Sequence, residues 1–240
     1  MCWTVDFPRV VQLTSITKLL SHKDYMAAKA GDIDAAYRLT YDILTDKKRL
    51  LKIKALKVKY PNAVYVGVHA EERNGKNKIP EALAQFIGNL TGQAVDTEII
   101  QTVKAGRTGQ GEMYRLAYRP KFDGHVQAGK EYILVDDVIS RGGTFGELKF
   151  YIEQCGGKVV QMVAAAAGRF STCIALTEKT KNVLIKEYGI VSLQRFLREL
   201  DIYAGNVGYL TESEARRILE AGPLDRTTNR IIEIRQARNA

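Results

Sequence analysis

Residues 132–144 carry the side chains with the clearest chemical potential in this chain. They read Tyr-Ile-Leu-Val-Asp-Asp-Val-Ile-Ser-Arg-Gly-Gly-Thr. The apolar run Tyr132–Val135 predicts a strand, and the carboxylates of Asp136 and Asp137 at its end can accept hydrogen bonds from vicinal hydroxyls. The glycine-containing turn that follows exposes backbone N–H groups at the start of a helix, where an anion is favoured. The pattern therefore suits a sugar phosphate.

This segment resembles the phosphoribosyl-pyrophosphate (PRPP) binding motif of type I phosphoribosyltransferases. The resemblance implies that Asp136 and Asp137 hold the ribose 2- and 3-hydroxyls. It also implies a loop that wraps the 5-phosphate, formed by Ser140, Arg141, Gly142, Gly143 and Thr144. Arg141 stands where a small hydroxyl residue is commoner in the family. Its guanidinium could add charge to the phosphate site, crowd the loop or point to solvent.

The residues after the loop predict a helix and then a second buried strand. Thr144 and Glu147 have the spacing of a capping box, and the pair at 156–157 is a glycine stop signal. One apolar face recurs at helical spacing, namely Leu148, Tyr151, Ile152 and Cys155. With the strand Lys158–Ala167 this forms a βαβ unit, whose ligand site falls at the carboxyl end of the first strand.

Three other interpretations of the acidic pair fit the sequence less well. A magnesium-binding phosphoacceptor domain carries such a pair near its first strand, whereas this pair lies past mid-chain. A dinucleotide-binding domain calls for Gly-x-Gly-x-x-Gly near its first strand, and no such motif is found there. A structural turn explains the two glycines but not two adjacent carboxylates.

Two further loops belong to the site by resemblance. In the family, the loop after the first core strand approaches pyrophosphate, and here Arg73 and Lys76 could do so. Glu71 and Glu72 could act through Mg²⁺, which prefers oxygen ligands; a solvated loop is the alternative.

The second loop, 104–111, matches the mobile loop that closes over the reacting centre. Lys104 and Arg107 would bring positive charge to the leaving pyrophosphate as the catalytic cations. The alternative is a long hairpin connection. Asp136 and Asp137 would meet Mg²⁺ only through PRPP hydroxyls or water.

Composition and charge bound the remaining possibilities. The 240 residues include 45% hydrophobic and 26% charged residues, and they contain no apolar run of bilayer length. The N-terminus does not read as a signal peptide. The three scattered cysteines, Cys2, Cys155 and Cys173, suggest neither a disulfide framework nor a metal site, so a cytoplasmic location is expected.

The formal net charge is +9, and the basic excess is concentrated near the N-terminus. Seven basic residues occur with no intervening acid: Lys47, Lys48, Arg49, Lys52, Lys54, Lys57 and Lys59. One interpretation is an anion surface for nucleic acid or a charged substrate. The favoured one is a solvated face, because no aromatic side chains interleave to stack bases. In that interpretation five apolar residues turn inward: Leu50, Leu51, Ile53, Leu56 and Val58.

The predicted architecture is an α/β fold of the type I phosphoribosyltransferase kind, with a mainly parallel sheet flanked by helices. Residues 61–170 form the core, whereas 1–60 and 171–240 are helical N- and C-terminal additions, all in one compact unit. Within the core, strands are predicted at Val95–Val103 and 114–122. Asp32 is predicted to cap a helix, and Thr211 with Glu214 to form a capping box.

The resemblance implies a transferase that moves 5-phosphoribosyl from Mg-PRPP to a nucleobase or related nitrogen acceptor and releases pyrophosphate. Mg²⁺ is the expected cofactor, and a homo-oligomer is expected by resemblance only. No membrane partner is expected, and nucleic acid is not favoured. The alternative is a non-catalytic PRPP or nucleotide-binding regulator of the same fold that is associated with nucleic acid.

Overall fold

The computed structural model describes residues 3–4, 6–68, 71–72, 75–103, 111–168 and 171–239. A five-stranded sheet with the order β1-β9-β8-β2-β5 lies at its centre, and every neighbouring pair in it is parallel. Its strands are β1 (Val11–Thr14), β2 (Val64–Gly67), β5 (Val95–Asp96), β8 (Glu131–Ile139) and β9 (Lys158–Ala167). Two antiparallel pairs lie outside it: β3 (Glu71–Glu72) with β4 (Gly75–Lys76), and β6 (Ile100–Val103) with β7 (Lys121–Asp123).

Helices cover both faces of this sheet, as the sequence predicted. The first group comprises α1 (Ile16–Leu20), α2 (Tyr25–Ala30), α3 (Ile33–Leu44), α4 (Lys47–Lys59) and α5 (Ile79–Thr91). On the other face α7 (Gly143–Gln154) packs against the sheet. A separate C-terminal hydrophobic cluster is formed by α6 (Glu112–Ala117), α8 (Glu178–Tyr188), α9 (Ile190–Glu199), α10 (Glu212–Ala221) and α11 (Leu224–Asn239). Asp32 caps α3 by accepting from the backbone N–H of Ala35, so that prediction is confirmed.

The side chains of β8 alternate between two hydrophobic clusters, one on each face of the sheet. Ile133 and Val135 pack with α3 and α5 on one face, whereas Tyr132 and Leu134 pack with α7 on the other. Successive strand residues point to opposite faces, and a parallel strand buried on both faces becomes almost continuously apolar. This alternation governs where the next two residues, the acidic pair, must point.

Three predicted elements differ from the structure. The segment 1–60 contributes β1, which pairs with β9 at the edge of the sheet. The strand predicted at Val95–Val103 is two strands, because the Asp96 carboxylate accepts from the N–H groups of Glu98 and Ile99 and turns the chain. The stretch predicted as a strand at 114–122 begins inside α6 and reaches the short strand β7 only at Lys121.

The start of α7 also differs from the prediction. Gly142 is its N-cap in a left-handed conformation, and no side chain caps the helix, so the Thr144–Glu147 capping box is wrong. Glu147 is instead buried against Arg119. The predicted capping box at Thr211 and Glu214 is confirmed, with both reciprocal hydrogen bonds present.

Among the described residues, no helix is both long and apolar enough to cross a membrane.

Candidate functional site

The two carboxylates of the acidic pair leave β8 on opposite faces. Asp136 follows the direction of Leu134 toward α7, and Asp137 follows Val135 toward α5. Both are buried, with 9% and 4% of their surface exposed. Neighbours in sequence therefore sit in different surroundings and can do different work.

Asp136 lines a cleft at the carboxyl end of the strand. Its Oδ1 accepts the backbone N–H of Asp137 at 2.8 Å. Burial raises the pKa of Asp136 well above its usual value, and the negative charge of Asp137 raises it further, while Lys29 and the N–H bond act in the opposite direction. Such a carboxyl group is stabilised by a hydroxyl partner or by a cation.

Asp137 is held by residues from two other segments. Its Oδ2 accepts from Lys29 Nζ at 2.7 Å and from Asn77 Nδ2 at 3.0 Å, and its Oδ1 accepts from the N–H of Val138. Lys29 lies in α2, and Asn77 precedes α5, where its Oδ1 also accepts from the N–H of Ile79. Sequence reasoning missed Lys29 and Asn77, because no spacing rule links them to a residue 108 and 60 positions away.

The loop after β8 is built around Gly142. This residue has φ +78°, and a Cβ there would lie 2.9 Å from Cγ2 of Ile174. Only glycine adopts such a conformation without strain. The turn lets α7 begin at Gly143, so that the unpaired N–H groups of its first turn lie at the loop.

Two contacts fix the first residue of the loop. The Ser171 hydroxyl donates to the Ser140 carbonyl at 2.5 Å, and Arg115 Nη1 donates to Ser140 Oγ at 3.3 Å. Arg115 lies on α6, in the stretch predicted to be a strand, so its approach to the loop was not foreseen. The chain thus brings a second guanidinium near the one that Arg141 carries.

An open cleft joins these parts. It contains Asp136 and the whole predicted phosphate loop, Ser140, Arg141, Gly142, Gly143 and Thr144. Its other walls come from β8, from the start of α7, from α6 through Arg115 and Leu116, and from α10 through Ser213, Glu214 and Arg217. Asp137 is not among its lining residues.

The wall from α10 is tied to the core by a buried ion network. Arg119 donates to Glu147 on α7 and, at 2.7 Å, to Glu214 on α10. Tyr203 donates its hydroxyl to Glu214 at 3.0 Å, and its ring lies 4.3 Å from the guanidinium carbon. Burial opposes the charge on Arg119, but the two carboxylates raise its pKa well above its usual value.

The remaining predicted site residues are only partly visible. Arg73, Lys104 and Arg107 lie outside the described residues. Glu71, Glu72 and Lys76 contribute the paired backbones of β3 and β4, and their side chains lie outside the described part of the chain. Their assignments stay predictions.

Comparison with known proteins places this site in context. No family model matches the chain. Protein TraN of Escherichia coli is 34% identical over 230 residues, which is 96% of this chain and 50% of TraN. An uncharacterised protein of Haemophilus influenzae is 41% identical over 150 residues, which is 62% of this chain and 33% of that protein. The chain therefore spans half or less of the length of these two relatives.

A third relative matches about half of the chain. Adenine phosphoribosyltransferase of Thermosipho africanus is 30% identical over 121 residues, or 48% of this chain and 66% of that enzyme. The resemblance to type I phosphoribosyltransferases is thus confirmed, and the fold is a phosphoribosyltransferase-like α/β fold.

Solved structures of this class are also similar. Adenine phosphoribosyltransferase of Saccharomyces cerevisiae, in complex with an imino-altritol bisphosphate and adenine, is 18% identical. The match covers 51% of this chain and 69% of the yeast enzyme's chain, with a TM-score of 0.35.

Proposed function

We propose that this protein transfers a 5-phosphoribosyl group from Mg-PRPP to a nitrogen acceptor of the nucleobase type, with release of pyrophosphate. One observation carries the proposal. A single cleft contains a buried carboxylate at a strand end, a glycine turn and the first turn of a helix. These parts suit the hydroxyls and the phosphate of one sugar phosphate.

The reaction needs positioning more than covalent help. Asp136 would accept a ribose hydroxyl, and the loop from Ser140 to Thr144 would hold the 5-phosphate through N–H groups and hydroxyls. As the bond from C1 to pyrophosphate loosens, positive charge grows on the ribose ring, and a nearby carboxylate stabilises it.

The donor chemistry of the site fits Mg²⁺. Asp136 offers carboxylate oxygens at the cleft, and a bound cation would offset the burial and the negative charge of Asp137 that raise its pKa. Neutralisation of the leaving pyrophosphate is what Mg²⁺ bound with PRPP would supply. Asp136 would meet the metal through PRPP hydroxyls or water.

The acceptor side of the cleft belongs to the C-terminal segment in this proposal. Ser213 and Arg217 of α10 line the same cleft as the phosphate loop, together with Leu116 of α6. They would cover the acceptor as a hood. The Thermosipho africanus relative is an adenine enzyme, so adenine is the first acceptor to test.

The proposal is tested first by binding. Mg-PRPP and ribose 5-phosphate should both raise the Tm of the wild-type protein, and saturation at 100 times Kd stabilises by about 2.7 kcal/mol. Asp136→Asn should weaken both ligands about tenfold or more, because one charge-assisted hydrogen bond is lost. Asp34→Asn, at an exposed position on α3, removes the same charge and should change neither.

Turnover is tested by release of pyrophosphate across a panel of bases. Release that depends on one base supports the transferase. A wild-type Tm that does not change in millimolar PRPP or ribose 5-phosphate would contradict the proposal.

One observation favours a second candidate, the non-catalytic binder. On α4 only Ile53 and Leu56 are buried, whereas Leu51 and Val58 are 65% and 83% exposed, so their predicted inward orientation is wrong. Lys47 and Lys54 share the exposed face with them at helical spacing. A face that is basic and apolar at once suits an anionic partner.

The second candidate predicts retention of DNA or RNA that falls steeply with salt, because each phosphate contact releases counterions. Lys47→Glu with Lys54→Glu should abolish that retention and leave PRPP binding intact. PRPP binding without turnover, combined with such retention, would favour the regulator over the transferase.

A further inference from the structure

Lys29 is the cation nearest to the acidic pair among the ion pairs of the described residues, and it comes from the N-terminal segment. It occupies the last turn of α2. Its Nζ lies 2.7 Å from Asp137 Oδ2, and its side chain is 25% exposed. The ammonium thus contacts a buried carboxylate, while part of the Lys29 side chain is exposed.

The backbone fixes α2 in this place. The N–H of Lys78 donates to the carbonyl of Ala28 at 3.1 Å, one residue before Lys29. Asn77, which precedes Lys78, donates to the same Asp137 oxygen as Lys29 does. Three hydrogen bonds thus join α2, the start of α5 and the end of β8, and two of them end on the Asp137 carboxylate.

The position of this group relative to the phosphate loop suggests its role. The loop and Asp136 lie on the α7 side of β8, whereas Asp137 and Lys29 lie on the α5 side. A ribose held by Asp136 with its 5-phosphate in the loop must direct its C1 end away from the loop. The side of the β8 end that faces away from the loop carries Lys29 and Asp137, so a C1 substituent placed there would meet the ammonium.

We propose that Lys29 binds the anionic group on C1 of the sugar, the pyrophosphate of PRPP. An ammonium has three donors and can hold a carboxylate and an incoming anion together. Asp137 then serves as the positioning residue that fixes the ammonium, and its own contact with the ribose becomes secondary. This inference rests on the proposed function, and it makes residues 1–60 part of the ligand site.

Binding of three ligands to the purified full chain tests the proposal. Lys29→Gln keeps an amide donor for Asp137 and removes the charge. We expect it to weaken Mg-PRPP and Mg-pyrophosphate about tenfold or more, and ribose 5-phosphate by less than about twofold. Lys29→Arg should restore most of the affinity. Lys23→Gln, at an exposed position before α2, removes the same charge and should leave all three affinities unchanged.

Each other outcome overturns the proposal. Equal weakening of PRPP and ribose 5-phosphate by Lys29→Gln would mean that Lys29 only supports the strand end. Unchanged affinity of Lys29→Gln for PRPP would mean that Lys29 does not contact the pyrophosphate. An equal effect of Lys23→Gln would mean that only the net charge of the protein matters. In all three cases wild-type binding of ribose 5-phosphate would still support the proposed function, so the two failures are distinguishable.

Discussion

At the scale of the residue, Asp136 and Asp137 show how one peptide unit separates two roles. Strand alternation turns Asp136 to the cleft and Asp137 to Lys29 and Asn77. Asp137 has its charge balanced by an ammonium, whereas Asp136 is buried beside a like charge. A buried carboxyl group with a raised pKa beside a cleft is typical of a functional site.

Asp136 is expected to reduce stability at neutral pH. Because its pKa is raised in the folded state, folding is favoured below the unfolded pKa, and that stability is lost as pH rises toward the folded pKa. Asp136→Asn mimics the protonated form. Its Tm should exceed that of the wild type at pH 7–8, and the difference should shrink toward pH 4.

The free energy of unfolding of the two proteins should also diverge with pH. Over the pH interval in which the unfolded wild type has lost this proton and the folded wild type has kept it, their difference should change by about 1.4 kcal/mol per pH unit. Thermal melts from pH 4 to pH 8 measure it, and Asp34→Asn should show no such trend. A wild-type Tm above that of Asp136→Asn at pH 8 would mean that the carboxylate is stabilised in the fold.

Residue types could be predicted from the sequence more readily than residue partners. The carboxylates and the glycine turn of 132–144 form one site region because they adjoin in the chain. Lys29, Arg115 and Arg217 approach that region only through the packing of α2, α6 and α10. No local pattern encodes such an approach, so these cations could not have been found without the fold.

At the scale of the element, the turn into α7 depends on Gly142. Gly142→Ala should cost about 1–2 kcal/mol for left-handed strain, and crowding against Ile174 should add roughly 1–3 kcal/mol. The loop should shift with it, so affinity for ribose 5-phosphate should fall. Denaturant unfolding and ligand titration measure the two effects.

Gly129 provides the matched control. Its φ is +75°, close to that of Gly142, but a Cβ there would meet no atom within 4 Å. Gly129→Ala should therefore show the strain without the crowding and should leave ligand affinity unchanged. Equal losses for the two variants would mean that Ile174 yields freely and that the close approach carries no cost.

Elements with strong local signals were predicted well, and those set by tertiary contacts were not. β8 and α7 follow from their apolar patterns, and the capping box at Thr211 follows from cap spacing, whereas the cap predicted for α7 is wrong. In α6, the buried side chains of Met113, Leu116 and Ala117 pack into the C-terminal cluster. That short helix is stabilised by a partner surface far away in sequence, which explains why the stretch read as a strand.

At the scale of the whole molecule, charged contacts join the three segments that the sequence suggested. Lys29 links residues 1–60 to β8 through Asp137. Lys149 of α7 lies 1% exposed beside Glu153, and the rings of Trp3, Phe7 and Tyr209 surround its ammonium at 5.2–5.6 Å. We propose on this basis that 1–60, 61–170 and 171–240 fold as one unit.

The Arg119 network gives the sharpest test of that unity. Arg119→Met leaves Glu147 and Glu214 buried without their cation, and breaking a buried pair in this way typically costs about 3–5 kcal/mol. Because Glu214 also lines the cleft, ligand affinity should fall together with Tm.

Neutralising the two unpaired carboxylates distinguishes the electrostatic cost of losing Arg119 from the packing cost. Arg119→Met combined with Glu147→Gln and Glu214→Gln should regain part of the lost stability, since neutral amides cost less to bury than unpaired carboxylates. Arg216→Met is the control, because its pair with Glu212 lies at an exposed arginine and such pairs are worth about 0–1 kcal/mol. In the contrary outcome, Arg119→Met would lower the free energy of unfolding no more than Arg216→Met does. That result would mean that apolar contacts alone hold the C-terminal segment, and it would contradict the coupling of that segment to the cleft through Arg119.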